Sequence, residues 1–300
     1  LGLCRAFNFP AASTLLVRTV PKELYPNAAA WSSNAFQLAC VLGPSLGGLV
    51  IALTHSAMFA YLLASFLFAC AVFCLSRLKE SSAQTISNNA QSKESLLQGF
   101  KFLFQKKLLL SVISLDLFAV FFGGAVALLP VYAKDILQIG PVGLGWLRAA
   151  PSIGAAIASI LIAHLPPFKR TGVILLFAIT GFGLATIVFG ISTNVTLSLL
   201  MLALIGGFDS VSVFIRSTLL LVSVPDEMRG RVSAINSLFV GSSNELGAFE
   251  SGTVAAAYGA VFSVVSGGIA TILIVLFTAY KFPELRKLGP ILDGDKDKNT

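Results

Sequence analysis

Runs of about twenty or more consecutive apolar residues, each long enough to cross a bilayer as a helix, recur along this chain. Nine such runs are present, at approximately 1–20, 28–53, 57–77, 108–133, 143–165, 171–192, 195–223, 231–257 and 260–281. The connections between them are short, except for 79–106. Of the 300 residues, 56% are hydrophobic and 12% are charged. A soluble domain carries roughly twice that share of charge, so a water-soluble globule and a disordered chain are both excluded. A β-barrel is excluded too, because its strands are short and alternating rather than continuously apolar. Gly and Pro fall inside several runs (Pro10, Pro44, Pro130, Pro151); membrane helices tolerate them where neighbouring helices satisfy the freed backbone groups. The predicted fold class is therefore an all-α, polytopic membrane protein. Cys4, Cys40, Cys70 and Cys74 all lie within apolar runs and are read as small core fillers, since no Cys/His spacing fits a metal site or disulfide framework.

The net charge of +7 bears on topology rather than on nucleic acid, because Lys and Arg in short loops set the orientation of a membrane protein. Arg18, Lys22, Arg77, Lys79, Lys93, Lys101, Lys106, Lys107, Lys169, Arg170, Arg229, Arg231 and the basic residues from Lys281 onward share one side. Lys134 stands alone on the other, while Arg5, Arg148 and Arg216 fall within runs. The populated side is cytoplasmic by the positive-inside rule. The C-terminus is then cytoplasmic, and the outer loops are too short for an external ligand-binding domain.

An internal repeat divides the chain. Ser13-Thr14-Leu15-Leu16 recurs as Ser217-Thr218-Leu219-Leu220, an offset of 204. The same offset pairs Val20-Pro21 with Val224-Pro225, Glu23 with Glu227, Leu42-Gly43 with Leu246-Gly247 and Gly48 with Gly252, without a gap. Both copies cross the bilayer in the same sense, the pattern of parallel repeats that form two transporter halves. Extending the offset to the span at 108 predicts roughly 100 further residues and three spans before Leu1, hence nine of twelve helices here and six per half. The expected domains are 1–78, the remainder of an N-terminal bundle (helices four to six); 79–106, a cytoplasmic linker; 107–282, a C-terminal six-helix bundle; and 283–300, a cytoplasmic tail. Ser81 to Ser95 is rich in Ser, Asn and Gln and reads as a flexible connector. Leu96 to Lys107 alternates apolar and basic residues and predicts an amphipathic helix lying on the inner membrane surface.

Two pseudo-symmetric six-helix bundles around a long cytoplasmic centre resemble the major facilitator superfamily. Gly43-Pro44-Ser45-Leu46-Gly47-Gly48 is similar to the second part of its antiporter motif in helix five, with Ala30 and Ala39 where that motif has earlier glycines. Pro225 to Arg231 resembles its loop between helices ten and eleven. Leu96-Leu97-Gln98-Gly99-Phe100-Lys101-Phe102-Leu103, with Val20 to Leu24 and Leu42 to Gly48, resembles the efflux branch of enterobactin-exporter-like proteins and transmembrane secretion effectors. The resemblance implies a permease of the cytoplasmic (inner) membrane that works by alternating access.

Arg5, Asp116, Arg148, Asp209, Arg216, Glu245 and Glu250 are ionisable residues within spans. Each costs about 3 kcal/mol near the bilayer centre, so they must pair, face the bundle interior or line a wet path. A polar path between the halves and a set of structural ion pairs explain them equally well. Asp209 is central in its span, and the repeat aligns it with Arg5. Arg216 follows Asp209 by two turns on the same face, about 10 Å along the axis, with Ser212 between them; each must seek its partner on another helix or on a substrate. Asn236, Ser243 and Glu250 form a stripe of seven-residue spacing, and Glu245 points elsewhere. Asp116, Asp209 and Glu245 are the proton-carrier candidates, because taking up a proton relieves the cost of a charge in low dielectric. Gly43, Pro44, Gly47 and Gly48 read first as a close-packing surface, and by extension as control over the rocking of the halves. Glu227, Arg229 and Arg231 read as topology determinants and as candidate cytoplasmic gates.

No Walker loop, His-Glu-x-x-His or Cys-x-x-Cys pattern occurs, so an enzyme is not expected and no cofactor is implied. The expected function is secondary active transport of a small amphiphilic compound (a siderophore, drug-like or lipid-like molecule), as antiport driven by the proton gradient. The expected partners are membrane lipid and the substrate, with no nucleic acid, and the chain is expected to act as a monomer. The alternatives are uptake of an organic anion through Arg5, Arg148 and Arg216, or a non-transporting sensor or scaffold.

Overall fold

A computed structural model of the chain describes residues 46–54, 56–77, 93–165 and 170–286, with a few single positions besides, Gly43 among them. The spans expected at 1–20 and over most of 28–53 lie outside the described residues, as do Arg5 and Pro44, the linker over 79–92 and the tail beyond 289. The chain divides into two compact units, Leu1–Ala90 and Gln91–Thr300.

In the first unit, residues 46–54 are helical and α1 spans Ala57–Ser76. Ser56 starts α1 by accepting a hydrogen bond from the Met58 amide through its hydroxyl, at 3.2 Å; this satisfies a donor that the first turn would otherwise orphan. Arg77 closes the helix, its guanidinium 4.9 Å from the centre of the Phe73 ring. No residue of α1 is buried. Cys70 and Cys74 are exposed free thiols on it, which corrects their reading as core fillers; a uniformly apolar sequence does not say which face meets protein.

The second unit holds α2 (Lys93–Gln105), α3 (Lys107–Phe122), α4 (Gly140–His164), α5 (Thr171–Ile191), α6 (Val195–Ser223), α7 (Asp226–Tyr258), α8 (Ala260–Lys281) and the single turn α9 (Pro283–Arg286). No strand occurs among the described residues. Among the described residues, six helical segments are long and apolar enough to cross a membrane: Ala57–Ser76, Leu108–Ile136, Gly140–His164, Thr171–Ile191, Val195–Ser223 and Ala260–Lys281. The span expected at 231–257 is a continuous helix, α7, of 33 residues, or about 50 Å. It is too polar to be among the six, because Asn236, Ser242, Ser243, Asn244, Glu245 and Glu250 all lie on it. The segment from Pro225, expected as a loop, already forms the first turns of α7 from Asp226. Many large apolar side chains face outward, including Phe177, Phe249 and Tyr280. Such a surface would aggregate in water and is what acyl chains solvate.

Close approach of helices is set by glycine. A Cβ on Gly154 of α4 would collide with the Ala203 carbonyl of α6, and one on Gly206 would collide with the Pro151 carbonyl of α4. These two helices form the most extensive pairing, followed by α5 with α8 and α5 with α6. Further round, α3 packs on α7 and α8.

The first span of this unit is not one regular helix. α3 ends at Gly123, a 3-10 segment runs over Gly124–Leu128, one α-turn follows at Leu129–Val131, and Tyr132–Ile136 is π-helical. Pro130 has no amide to donate, so the ladder cannot pass through it unbroken. A Cβ on Gly124 would strike the Ser251 hydroxyl of α7, so the break also lets α7 come close. Tyr132 re-anchors the chain beyond the break. It is fully buried, its hydroxyl donates to the Gly190 carbonyl at 2.8 Å, and its ring stacks on Phe189 with centroids 4.6 Å apart.

The amphipathic helix expected from Leu96 to Lys107 forms as α2, and its apolar face is covered by protein. Leu103 is buried, Phe100 meets Phe239 of α7 edge-on at 5.9 Å, and Gly99 lies against Ile235 and Arg231. A membrane-surface helix would have kept that face for lipid.

Candidate functional site

The second unit has two apolar clusters. One gathers Leu109, Ile179, Ile215 and Leu219 with α2's Leu103; the other gathers Leu129, Tyr132, Leu147 and Phe189. Asp116 of α3 and Arg216 of α6 belong to the first region and are 4% and 6% exposed. Arg216 Nη1 is ion-paired with Asp116 Oδ2, and the Ser212 hydroxyl donates to Asp116 Oδ1 at 3.0 Å. Ser212 and Arg216 are four residues apart and therefore share one face of α6. One helix thus supplies a cation and a hydroxyl to a single carboxylate on another. Two charges taken out of a polar medium are sustained only by such pairing, with the remaining lone pairs satisfied.

Asp209 precedes Ser212 by almost one turn on the same helix and opens on the same small cavity as Asp116. The cavity measures about 10 Å³, room for about one water molecule. Ala119, Val120, Ile179, Phe182 and Phe208 complete its wall. Among the described residues Asp209 has no hydrogen-bond or ion-pair partner. The site is therefore one carboxylate held by two donors and a second carboxyl without a partner, with a water-sized space between them in an otherwise apolar wall. Such an arrangement can hold a charge at Asp116 and has room for one water beside both carboxyls.

The other sequence candidates do not join it. Glu245 and Arg148 are exposed on α7 and α4. Glu250 is half-buried and accepts from the Ser251 hydroxyl at 3.3 Å. The expected stripe on α7 does turn inward at Ser243, which is 2% exposed, and Asn236 Oδ1 is buried without a partner among the described residues. Arg231 donates to Met228 Sδ at 3.3 Å and backs onto α2. Glu227 and Arg229 lie in the first turns of α7, their side chains outside the described residues, and Arg5 is outside them altogether. No described atom lies within 4 Å of a Cβ built on Gly43 or Gly47, whereas a Cβ added to Gly247, the repeat partner of Gly43, would collide with the Phe121 carbonyl; Gly48 is buried.

Sequence reasoning missed the pairing of Asp116 with Arg216. It named Asp116 as a proton-carrier candidate and left Arg216 to seek a partner on another helix or on a substrate, without joining the two. A buried acid and a buried base at similar depth were the available signal, but choosing among the candidate partners required the helix neighbours.

A bundle of apolar helices with embedded charge defines a polytopic membrane protein. The chain belongs to the Major Facilitator Superfamily, whose sequence profile matches residues 1–248. It is 28% identical over 295 residues to the enterobactin exporter EntS of Escherichia coli O1:K1 / APEC, an alignment covering 96% of this chain and 69% of that protein. The enterobactin exporters EntS of Shigella boydii serotype 18 and of Escherichia coli O157:H7 match to the same extent. The chain is thus a transporter and not an enzyme.

Proposed function

We propose that this transporter exports a small amphiphilic compound, of siderophore, drug-like or lipid-like character, across the cytoplasmic membrane in exchange for protons. The buried Asp116–Arg216–Ser212 cluster facing Asp209 across a water-sized cavity carries this reading. An exchanger needs a group that binds a proton in one stage of its cycle and releases it in another, and an unpartnered carboxyl beside an occupied one meets that need. Protonation at Asp116 would weaken its hold on Arg216, which ties the proton to the relative position of α3 and α6. Similarity to exporters of enterobactin supports the outward direction and a substrate of that size and polarity. The basic loops favour a cytoplasmic C-terminus. Uptake of an organic anion through the arginines gains no support, since Arg216 is occupied by Asp116 and Arg148 is exposed.

The test is substrate-driven proton movement in proteoliposomes carrying an internal pH dye, with a catecholate siderophore, a lipophilic cationic dye and a lysophospholipid as probes. Asp116→Asn and Asp209→Asn are expected to lower coupled proton flux at least tenfold for whichever probe is transported. Full coupling in these two variants and in Glu245→Gln together would refute the proposal.

A further inference from the structure

A second feature of this unit belongs to no part of that cluster. α3 and α8 run antiparallel: Gly267 meets the backbone of Phe122, and Thr271 Oγ1 donates to the Ala119 carbonyl at 3.4 Å. Toward the start of α3 and the end of α8 an open groove of about 420 Å³ runs along the two helices, within the range of about 300–1,000 Å³ usual for small-molecule sites. Its walls are Leu115, Phe118, Ile274 and Phe277, with Ser114 among them and Lys281 at its end. The α3 side extends from Leu110 to Phe122, about 18 Å along the helix axis. The groove shares no lining residue with the Asp116 cavity.

Three properties select an occupant. The groove lies along two membrane-spanning segments, so its length runs with the acyl chains of the bilayer. Its wall is almost wholly apolar. Its charge is confined to one end, where Lys281 Nζ stands 5.4 Å from the centre of the Phe277 ring; the exposed Lys106 belongs to that same end, and no acidic side chain lines the groove. That end carries the basic loops assigned to the cytoplasmic face. We propose that the groove binds one molecule of an anionic glycerophospholipid of the inner leaflet, with an acyl chain between α3 and α8 and the phosphate at Lys281. The aromatic and aliphatic wall takes the chain at a gain proportional to the methylenes buried. The lysine then favours an anionic over a zwitterionic head group. Bound there, the lipid would cover the apolar side chains that the two helices leave open along this stretch.

The experiment is native mass spectrometry of the purified, delipidated full chain, titrated in parallel with dioleoylphosphatidylglycerol and dioleoylphosphatidylcholine. One retained phosphatidylglycerol, held about fivefold more tightly than phosphatidylcholine, is expected from a single lysine. Lys281→Gln should remove that preference, and Ser114→Phe, which fills the groove, should reduce retention of both lipids. Lys134→Gln, at the opposite end of the unit, should change nothing. Equal retention of the two lipids by the wild-type chain overturns the proposal, as does an unchanged preference in Lys281→Gln or an equal loss in Lys134→Gln. If Ser114→Phe fails to fold, the lysine variants decide the matter alone.

Discussion

Asp116 and Arg216 are each tolerable only because the other is present. Removing one leaves an uncompensated charge among apolar side chains, at a cost of about 3–5 kcal/mol. Asp116→Ala and Arg216→Ala should therefore each lower the thermal unfolding midpoint in detergent strongly, whereas the double variant Asp116→Ala/Arg216→Ala should recover much of the loss. Additive losses would show that the pair is not coupled. Tyr132→Phe is a milder case at the same scale: it forfeits one buried hydrogen bond to Gly190, worth about 1 kcal/mol, and keeps the stack on Phe189. Both acids and the arginine could be picked out from the sequence, because charge inside an apolar run stands out. Their pairing could not, since α3 and α6 are far apart in the chain and only the packing of the bundle, α3 against α7 and α8 above all, brings them together.

At the scale of elements, glycine and proline decide where helices meet and where they break. The carbonyl facing Gly206 comes from Pro151, and backbone cannot yield as a flexible side chain can. Gly206→Leu should then separate α4 from α6 and lower stability more than Gly252→Leu on α7, where an added Cβ meets open space; comparing the two unfolding midpoints checks this. The linker helix α2 gives a second case. Leu103→Ala removes its buried anchor, a change costing about 2–5 kcal/mol. Amide exchange should rise across Lys93–Gln105 while α5 stays protected. The existence of α2 was legible from its alternating pattern, but its docking was not, because an amphipathic face fits protein or lipid equally well. The break at Gly123 was foreshadowed by Gly123-Gly124 and Pro130, yet these residues are also tolerated in unbroken membrane helices.

For the whole molecule, the distribution of Lys and Arg predicts orientation. In a cysteine-free background, Lys134→Cys should react with a membrane-impermeant maleimide added to intact cells, and Lys298→Cys should react only after the membrane is opened. The reverse pattern would invert the topology and, with it, the leaflet assigned to the Lys281 groove. Several span limits were readable to within a residue: 195–223 and 260–281 coincide with α6 and α8, and 171–192 exceeds α5 by one. This accuracy follows from the solvent. Inside a bilayer every backbone polar group must be satisfied within the segment, so an apolar run of sufficient length is a helix.

From the sequence alone come the membrane class, most helix boundaries, the repeat and the roster of embedded charges, all of which depend on local composition and on the thickness of the bilayer. Tertiary structure alone decides which face of each helix is covered. It turned Asp116 toward Arg216, left Glu245, Arg148, Cys70 and Cys74 exposed, docked α2 on α7, and opened the groove beside Lys281. A helix apolar on every side carries no periodic signal for its orientation, so only packing against its neighbours can set it.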